Sequence, residues 1–129
     1  MYKRQVRLGA EHLSDDGNIV LVSGAPARRA KPGQAAIASV GGAVEQFVRA
    51  VTAELAPKRI NVVSPGVIDT PMFGNDADAR AKMLGGATAK NLVPRAGTPE
   101  EVAEGIMFVV KNGFVTGTTI DVDGGWILS

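Results

Sequence analysis

Few side chains of this sequence could carry out nucleophilic or acid–base chemistry near neutral pH. Ser23 directly follows a short apolar segment, and Arg28, Arg29 and Lys31 follow it within one loop. No Gly-x-Ser-x-Gly turn surrounds Ser23, and the single histidine, His12, has no evident orienting acid, so the pattern does not predict a hydrolase. Ser23 therefore has two interpretations: it binds a substrate oxygen, or it caps a turn.

The residue types show which ligands the basic loop could bind and whether the sequence contains a metal site. Arg28, Arg29 and Lys31 could attract an anionic substrate or a cofactor phosphate, or they could form a solvated surface. One histidine, no cysteine and scattered carboxylates provide no metal-ligand spacing. The sequence therefore predicts no metal site.

Three apolar segments predict the strands that position these residues. Residues 18–22, 59–63 and 118–122 are short, β-branched runs bounded by turn residues, which is typical of strands buried in a parallel sheet. Residues 34–55 predict one long amphipathic helix. Its apolar positions recur every three or four residues: Ile37, Val40, Val44, Phe47, Val48, Val51 and Leu55. Strand, helix and strand together form a βαβ unit.

Two further helices are indicated by local signals. Thr98 can cap a helix, Pro99 suits its first position and Glu101 completes a capping box, so a helix is predicted from there to about Lys111. Residues 6–13 have the character of the last turns of another helix.

The segment 75–89 is polar and rich in alanine, with a helical tendency that Gly85 and Gly86 are predicted to break. Its weak apolar face predicts a mobile cover rather than a part of the core. Three parallel strands with two good helices make half of a doubly wound fold. The predicted class is α/β, a three-layer α/β/α arrangement in a single domain over residues 1–129.

Composition excludes several classes of function. The 129 residues contain 14 Lys and Arg against 13 Asp and Glu, a net charge of +1, which argues against nucleic acid or a membrane surface as the partner. No apolar run approaches the roughly 20 residues that a membrane span requires. The absence of cysteine excludes disulfides and thiolate metal sites, and it favours a cytoplasmic protein.

Four segments, taken in order, resemble the C-terminal half of short-chain dehydrogenases/reductases. They are the strand ending in Ser23, the helix start at residues 34–44, the Asn-x-x-x-Pro-Gly motif of residues 61–66 with Thr70-Pro71, and residues 115–125, which end in Asp-Gly-Gly. The resemblance implies a Rossmann-like fold and NAD- or NADP-dependent oxidoreduction of an alcohol or carbonyl substrate.

The resemblance also assigns catalytic positions. In the family, a serine about 13 residues before the active-site tyrosine binds the substrate oxygen, and Ser23 takes that place. The tyrosine and lysine of the Tyr-x-x-x-Lys motif fall on Ala36 and Val40. Neither side chain titrates or donates a proton, so the resemblance implies weak or no activity at this site.

The segment after the second predicted strand matches the part of the family that faces the cofactor. The backbone of Pro65, Gly66, Val67 and Ile68 matches the loop at the nicotinamide carboxamide, and Thr70 matches a hydroxyl near the cofactor phosphates. From the residues alone, the same segment is a strand-ending turn.

No glycine-rich turn follows a predicted strand and opens a helix, as pyrophosphate binding in a Rossmann fold requires. The dinucleotide-binding half is therefore expected to be absent, and cofactor binding by this chain alone is not expected. Two alternatives to an oxidoreductase remain. One is a scaffold or regulatory subunit that forms a homo-oligomer through the helix of residues 34–55. The other is a fragment of a longer reductase.

Overall fold

The computed structural model describes residues 2–129 and confirms the α/β class. Three strands form one parallel sheet in the order β1-β2-β3, and four helices accompany them. In chain order the elements are α1 (Tyr2–Ala10), β1 (Asn18–Val22), α2 (Ala35–Leu55), β2 (Arg59–Pro65), α3 (Ala77–Thr88), α4 (Pro99–Lys111) and β3 (Thr119–Val122). Within this range, no helix is both long enough and apolar enough to cross a membrane.

The sheet separates α2 from α4. Along β2, Ile60 and Val62 are buried on the α2 side, where they join the main core cluster, which also contains Val6, Leu21, Val44 and Val48. On the other side, Gly105 of α4 approaches so closely that a Cβ there would lie 2.8 Å from a methyl carbon of Val122. The two faces of β1 and β2 are thus covered by different helices, which is why these strands read as continuous apolar runs.

Helix α4 begins as its sequence predicts. The backbone N–H of Glu101 donates to Oγ1 of Thr98 at 3.3 Å, and the backbone N–H of Thr98 donates to Oε2 of Glu101 at 2.8 Å. Two donors that the first turn leaves without partners are satisfied by this reciprocal pair. Pro99 occupies the first helical position, where its missing N–H costs nothing.

The predicted break at Gly85 and Gly86 was wrong, because α3 continues through both. A glycine inside a helix costs only about 1 kcal/mol relative to alanine, and tertiary packing outweighs that cost here. Leu84 and Thr88 are buried, and the Thr88 hydroxyl donates to the Leu84 carbonyl at 2.8 Å. Helix α3 is therefore attached to the protein by one buried stripe.

The apolar stripe predicted for α2 is buried only in part. Val44 and Val48 are in the core, whereas Ile37 and Val40 are 59% and 62% exposed. Both exposed side chains belong to the first two turns of α2. Smaller differences are that α1 ends before residues 11–13, β2 extends two residues beyond its predicted end, and β3 starts one residue late.

Candidate active site

A cavity of about 400 Å³ lies at the carboxyl ends of β1 and β2, where open α/β sheets bind their ligands. The six residues that the family resemblance assigns to catalysis or cofactor binding line it: Ser23, Pro65, Gly66, Val67, Ile68 and Thr70. The rest of its wall is mainly apolar and includes Ile37, Met72, Phe73 and Trp126. The structure thus brings together residues from two predicted loops 42 positions apart in sequence (65 − 23 = 42).

Ser23 is held at the end of β1 by its backbone and its side chain. Its N–H donates to the Val63 carbonyl at 3.0 Å, which continues the pairing of β1 with β2. Its hydroxyl donates to Oε1 of Glu45 at 2.9 Å. The hydroxyl therefore binds a side chain from α2 and does not cap the turn that follows β1.

Glu45 is a functional candidate that the sequence did not reveal. It is only 3% exposed, on the buried side of α2 beside Val44. Its Oε2 lies 3.6 Å from Nε of Arg28 and 4.0 Å from Nη2 of Arg49. A charged residue inside the core is rare unless it is paired, and a glutamate next to the apolar stripe was the one signal available.

Arg28 links this carboxylate to the third strand. Its guanidinium pairs with Glu45 and also with Asp121 of β3. Two carboxylates therefore compensate its charge. The interpretation of Arg28 as an attractor of anionic ligands finds no support in these contacts.

Lys31 and Trp126 attach the same loop to the C-terminal segment. The Lys31 ammonium lies 3.6 Å from the centroid of the Trp126 ring, and the indole N–H donates to the Arg29 carbonyl at 3.1 Å. Trp126 is 5% exposed, and its ring forms part of the cavity wall. The sequence placed it only in an apolar tail, and no local pattern connected it to the loop.

The loop after β2 is fixed by backbone contacts. The Val67 carbonyl accepts from the Gly97 N–H at 2.9 Å, and the Asp69 N–H donates to the Gly97 carbonyl at 2.8 Å. In this parallel bridge, the N–H and C=O of the intervening Ile68 point away from Gly97. Gly66 is required, because a Cβ there would lie 2.7 Å from the backbone of Asp123.

Comparison with known proteins identifies the family. Residues 3–127 match the sequence profile of a family described as Enoyl-(Acyl carrier protein) reductase. A short-chain dehydrogenase/reductase of Stachybotrys chlorohalonatus is 39% identical over 111 residues, which are 86% of this chain and 44% of that protein. The chain belongs to the short-chain dehydrogenase/reductase family.

Other short-chain dehydrogenases show the same pattern of coverage. A cyclopentanol dehydrogenase of Comamonas testosteroni is 41% identical over 116 residues, covering 85% of this chain and 45% of its own length. The crystal structure of a small-chain dehydrogenase in complex with NADPH superposes with a TM-score of 0.89 at 34% identity, over 96% of this chain and 57% of the other. The chain thus spans about half the length of the relatives it matches.

Helix α2 carries the positions that the family resemblance assigns to the Tyr-x-x-x-Lys motif, and the structure shows which residues there line the cavity. Gln34 and Ile37 line it, whereas Ala36 does not. Val40, which the sequence aligned with the family lysine, points largely into solvent. Near Ser23 the cavity is therefore lined by an aliphatic residue of the helix, Ile37, and by an amide residue, Gln34, that directly precedes the helix.

If the tyrosine and lysine positions of the motif are aligned one residue later, on Ile37 and Gly41, the site still lacks a proton-transferring side chain. The residue four positions after Ile37 is Gly41, which is buried against Ala27 so closely that a Cβ would lie 2.9 Å from the Ala27 Cβ. Neither the pair Ala36 and Val40 nor the pair Ile37 and Gly41 contains a group that exchanges protons.

A second cavity of about 490 Å³ lies against other surfaces of Val67 and Ile68. Its charged residues include Arg95 and Glu101, whose side chains form two hydrogen bonds of 2.9 and 2.6 Å with each other. The Arg95 side chain, followed by the Thr98 backbone N–H, lowers the pKa of Glu101 to about 2. Across residues 2–129, no group of three or more His, Cys, Asp and Glu side chains could hold a metal ion.

Proposed function

We propose that this chain forms the substrate-facing and nicotinamide-facing side of an NAD- or NADP-dependent oxidoreductase for a small alcohol or carbonyl compound. The observation that carries the proposal is the cavity in which the hydroxyl-bearing Ser23 faces the loop of residues 65–70. Family membership supports the reaction class, and the structural relative in complex with NADPH supports the cofactor.

The loop of residues 65–70 fits the nicotinamide part of such a cofactor. A primary carboxamide offers an NH₂ donor group and a carbonyl acceptor in one plane, and the Ile68 C=O and N–H that point away from Gly97 offer one partner to each. The Thr70 hydroxyl lines the same cavity and can donate to a phosphate oxygen. When bound, the nicotinamide would supply or accept the hydride, while Ile68 and Thr70 would orient it.

Among the residues that the structure describes, the cavity wall near Ser23 lacks a side chain that could transfer a proton. Gln34, which directly precedes α2, and Ile37 in its first turn line the cavity, and neither exchanges a proton near neutral pH. A positioned general acid or base contributes about 10²–10⁴-fold to rate. We therefore propose that the chain has at most weak dehydrogenase activity.

The apolar wall favours a compact, mainly hydrocarbon ligand with one polar end. Ile37, Phe73 and Trp126 supply aliphatic and aromatic surface, and Ser23 supplies a hydroxyl on the same cavity. Such a lining, with few polar groups that fix orientation, is typical of small-molecule sites. Since one relative is a cyclopentanol dehydrogenase, cyclopentanol and cyclopentanone are suitable probes.

A second candidate function rests on the exposed start of α2. Ile37 and Val40 leave an apolar patch on this helix without a cover. A non-catalytic scaffold or regulatory subunit could use this patch to pair with a second copy of the chain, as the resemblance to the family suggested. The oligomeric state of a charged variant tests this candidate.

Nicotinamide mononucleotide tests the primary proposal, because it contains the part of the cofactor that the loop would hold. The chain has one tryptophan, so Trp126 gives one indole resonance in a nitrogen–proton correlation spectrum. We expect saturable movement of this resonance and roughly threefold to tenfold weaker binding by Thr70→Val, the loss of one hydrogen bond. Thr52→Val, in a threonine outside the cavity wall, should bind like the unmodified chain. Unchanged spectra would contradict the cofactor assignment.

A further inference from the structure

The hydroxyl of Ser23 has a defined direction. A serine hydroxyl carries one proton and two lone pairs, whereas an ionised carboxylate only accepts. The Ser23 proton is donated to Oε1 of Glu45 at 2.9 Å. The groups that Ser23 can still offer to the cavity are therefore its lone pairs.

Glu45 is held in a position where it accepts the hydrogen bond from Ser23. It is almost completely buried within α2, and the guanidinium groups of Arg28 and Arg49 lie at its other oxygen, Oε2. If the Ser23 hydroxyl turned towards the cavity, Oε1 would lose this hydrogen bond inside the protein. Leaving a buried charged acceptor short of a partner is unfavourable, so the direction of the Ser23 hydroxyl is set from behind the cavity wall.

From this geometry we propose that Ser23 acts as a hydrogen-bond acceptor in the cavity, and that the site selects ligands with a hydroxyl group over matching ligands with only a carbonyl group. Glu45 acts through Ser23 and is a positioning residue. The inference rests on the proposed function in one respect, that this cavity is the ligand site. It adds the class of ligand: an apolar ring or chain that ends in a hydrogen-bond donor.

Glutamine at position 45 should reverse this preference. Its carbonyl oxygen is expected to face Arg28, because a guanidinium only donates, and its NH₂ group then faces Ser23. The Ser23 oxygen would accept from that NH₂, and its own proton would become available to the cavity. Glu45→Gln should therefore favour a carbonyl ligand, although the side chain keeps its size.

The test compares cyclopentanol with cyclopentanone by titration of the isotope-labelled chain, with the Trp126 indole resonance as the readout. For the unmodified chain we expect cyclopentanol to bind roughly threefold to tenfold more tightly, the effect of one hydrogen bond. Glu45→Gln should bring the ratio of the two dissociation constants to one or below. Glu54→Gln, an exposed glutamate on the same helix, should leave the ratio unchanged.

The remaining outcomes separate the inference from the proposed function. Ser23→Ala should bind both probes equally, and this variant carries the test if Glu45→Gln does not fold. A preference for cyclopentanol that survives Ser23→Ala overturns the inference, as does equal binding of the two probes by the unmodified chain; in both cases the cavity remains a ligand site. If neither probe moves the Trp126 resonance, the inference and the assignment of the cavity both fail.

Discussion

Ser23 Oγ and Glu45 Oε1 lie 2.9 Å apart and join the end of the first strand to the buried side of the long helix. This contact sets the polar end of the candidate site. In the family that the sequence resembles, this serine lies beside a tyrosine and a lysine from the long helix. Here that helix contributes a buried carboxylate behind the serine, and an aliphatic side chain, Ile37, to the cavity wall.

Removing the Glu45 carboxylate should destabilise the fold. Glu45→Ala leaves the Ser23 hydroxyl without its acceptor and removes one of the two carboxylates that compensate Arg28. We expect the free energy of unfolding to fall by about 1–3 kcal/mol, measured by urea denaturation. Glu54→Ala, at an exposed position of the same helix, should change it by no more than about 0.5 kcal/mol. Equal effects of the two variants would contradict the role of Glu45.

Two adjacent glycines of α2 should respond differently to alanine. At Gly42 an added Cβ would meet its nearest neighbour, the Ala27 carbonyl oxygen, at 3.9 Å. Gly42→Ala should therefore stabilise the helix by about 0.5–1 kcal/mol. At Gly41 the Cβ would lie 2.9 Å from the Ala27 Cβ, so Gly41→Ala should be about 1–3 kcal/mol less stable than Gly42→Ala. Denaturation curves of equal midpoint would show that α2 does not pack on Ala27 as described.

The start of α4 should lose stability in acid. Hydrogen bonds from Arg95 and from the Thr98 backbone lower the pKa of Glu101 from 4.5 to about 2. Its contribution is therefore complete above about pH 4.5 and is lost as the pH falls towards 2. The difference in melting temperature between the unmodified chain and Glu101→Gln should shrink across this interval. Glu100→Gln, at the neighbouring exposed position, should show the same dependence of melting temperature on pH as the unmodified chain. If the melting temperatures of Glu101→Gln and the unmodified chain differ by the same amount at every pH, the Arg95–Glu101 pair is not the cause of the loss of stability in acid.

The exposed start of α2 should control self-association. Val40→Glu places a charge in the apolar patch formed with Ile37, and burying an unpaired charge opposes pairing. If the chain pairs through this patch, sedimentation should show dimers of the unmodified chain and monomers of Val40→Glu. Ala50→Glu, an exposed position of the same helix, serves as the control for added charge. Dimers that persist in Val40→Glu would remove α2 as the interface.

The sequence predicted elements whose signals are local. The capping box at Thr98 was confirmed because it needs only three neighbouring residues, and the strand of residues 18–22 was confirmed because its apolar run is bounded by turns. The break at Gly85 was wrong because helix propensity ignores the burial of Leu84. Local signals describe an element but not the surface that it meets.

The sequence predicted only those site residues that belong to a local motif. Ser23 and the loop of residues 65–70 lie at strand ends, and the topology of a parallel sheet brings such ends together. Glu45 contacts Ser23, which is 22 positions earlier in the sequence, and Trp126 contacts Arg29, which is 97 positions earlier. No local periodicity predicts contacts between residues so far apart. For the same reason, the orientation of Ile37 towards the cavity and of Val40 into solvent required the structure.

We propose that this cavity retains the substrate-binding serine of a short-chain reductase and lacks a proton-transferring pair. The most direct test is the rate at which the purified chain forms reduced nicotinamide from cyclopentanol with NAD⁺ or NADP⁺, measured beside Ser23→Ala. We expect a rate equal to, or only slightly above, the rate without protein, for both the chain and the variant. Sustained turnover that Ser23→Ala abolishes would contradict it.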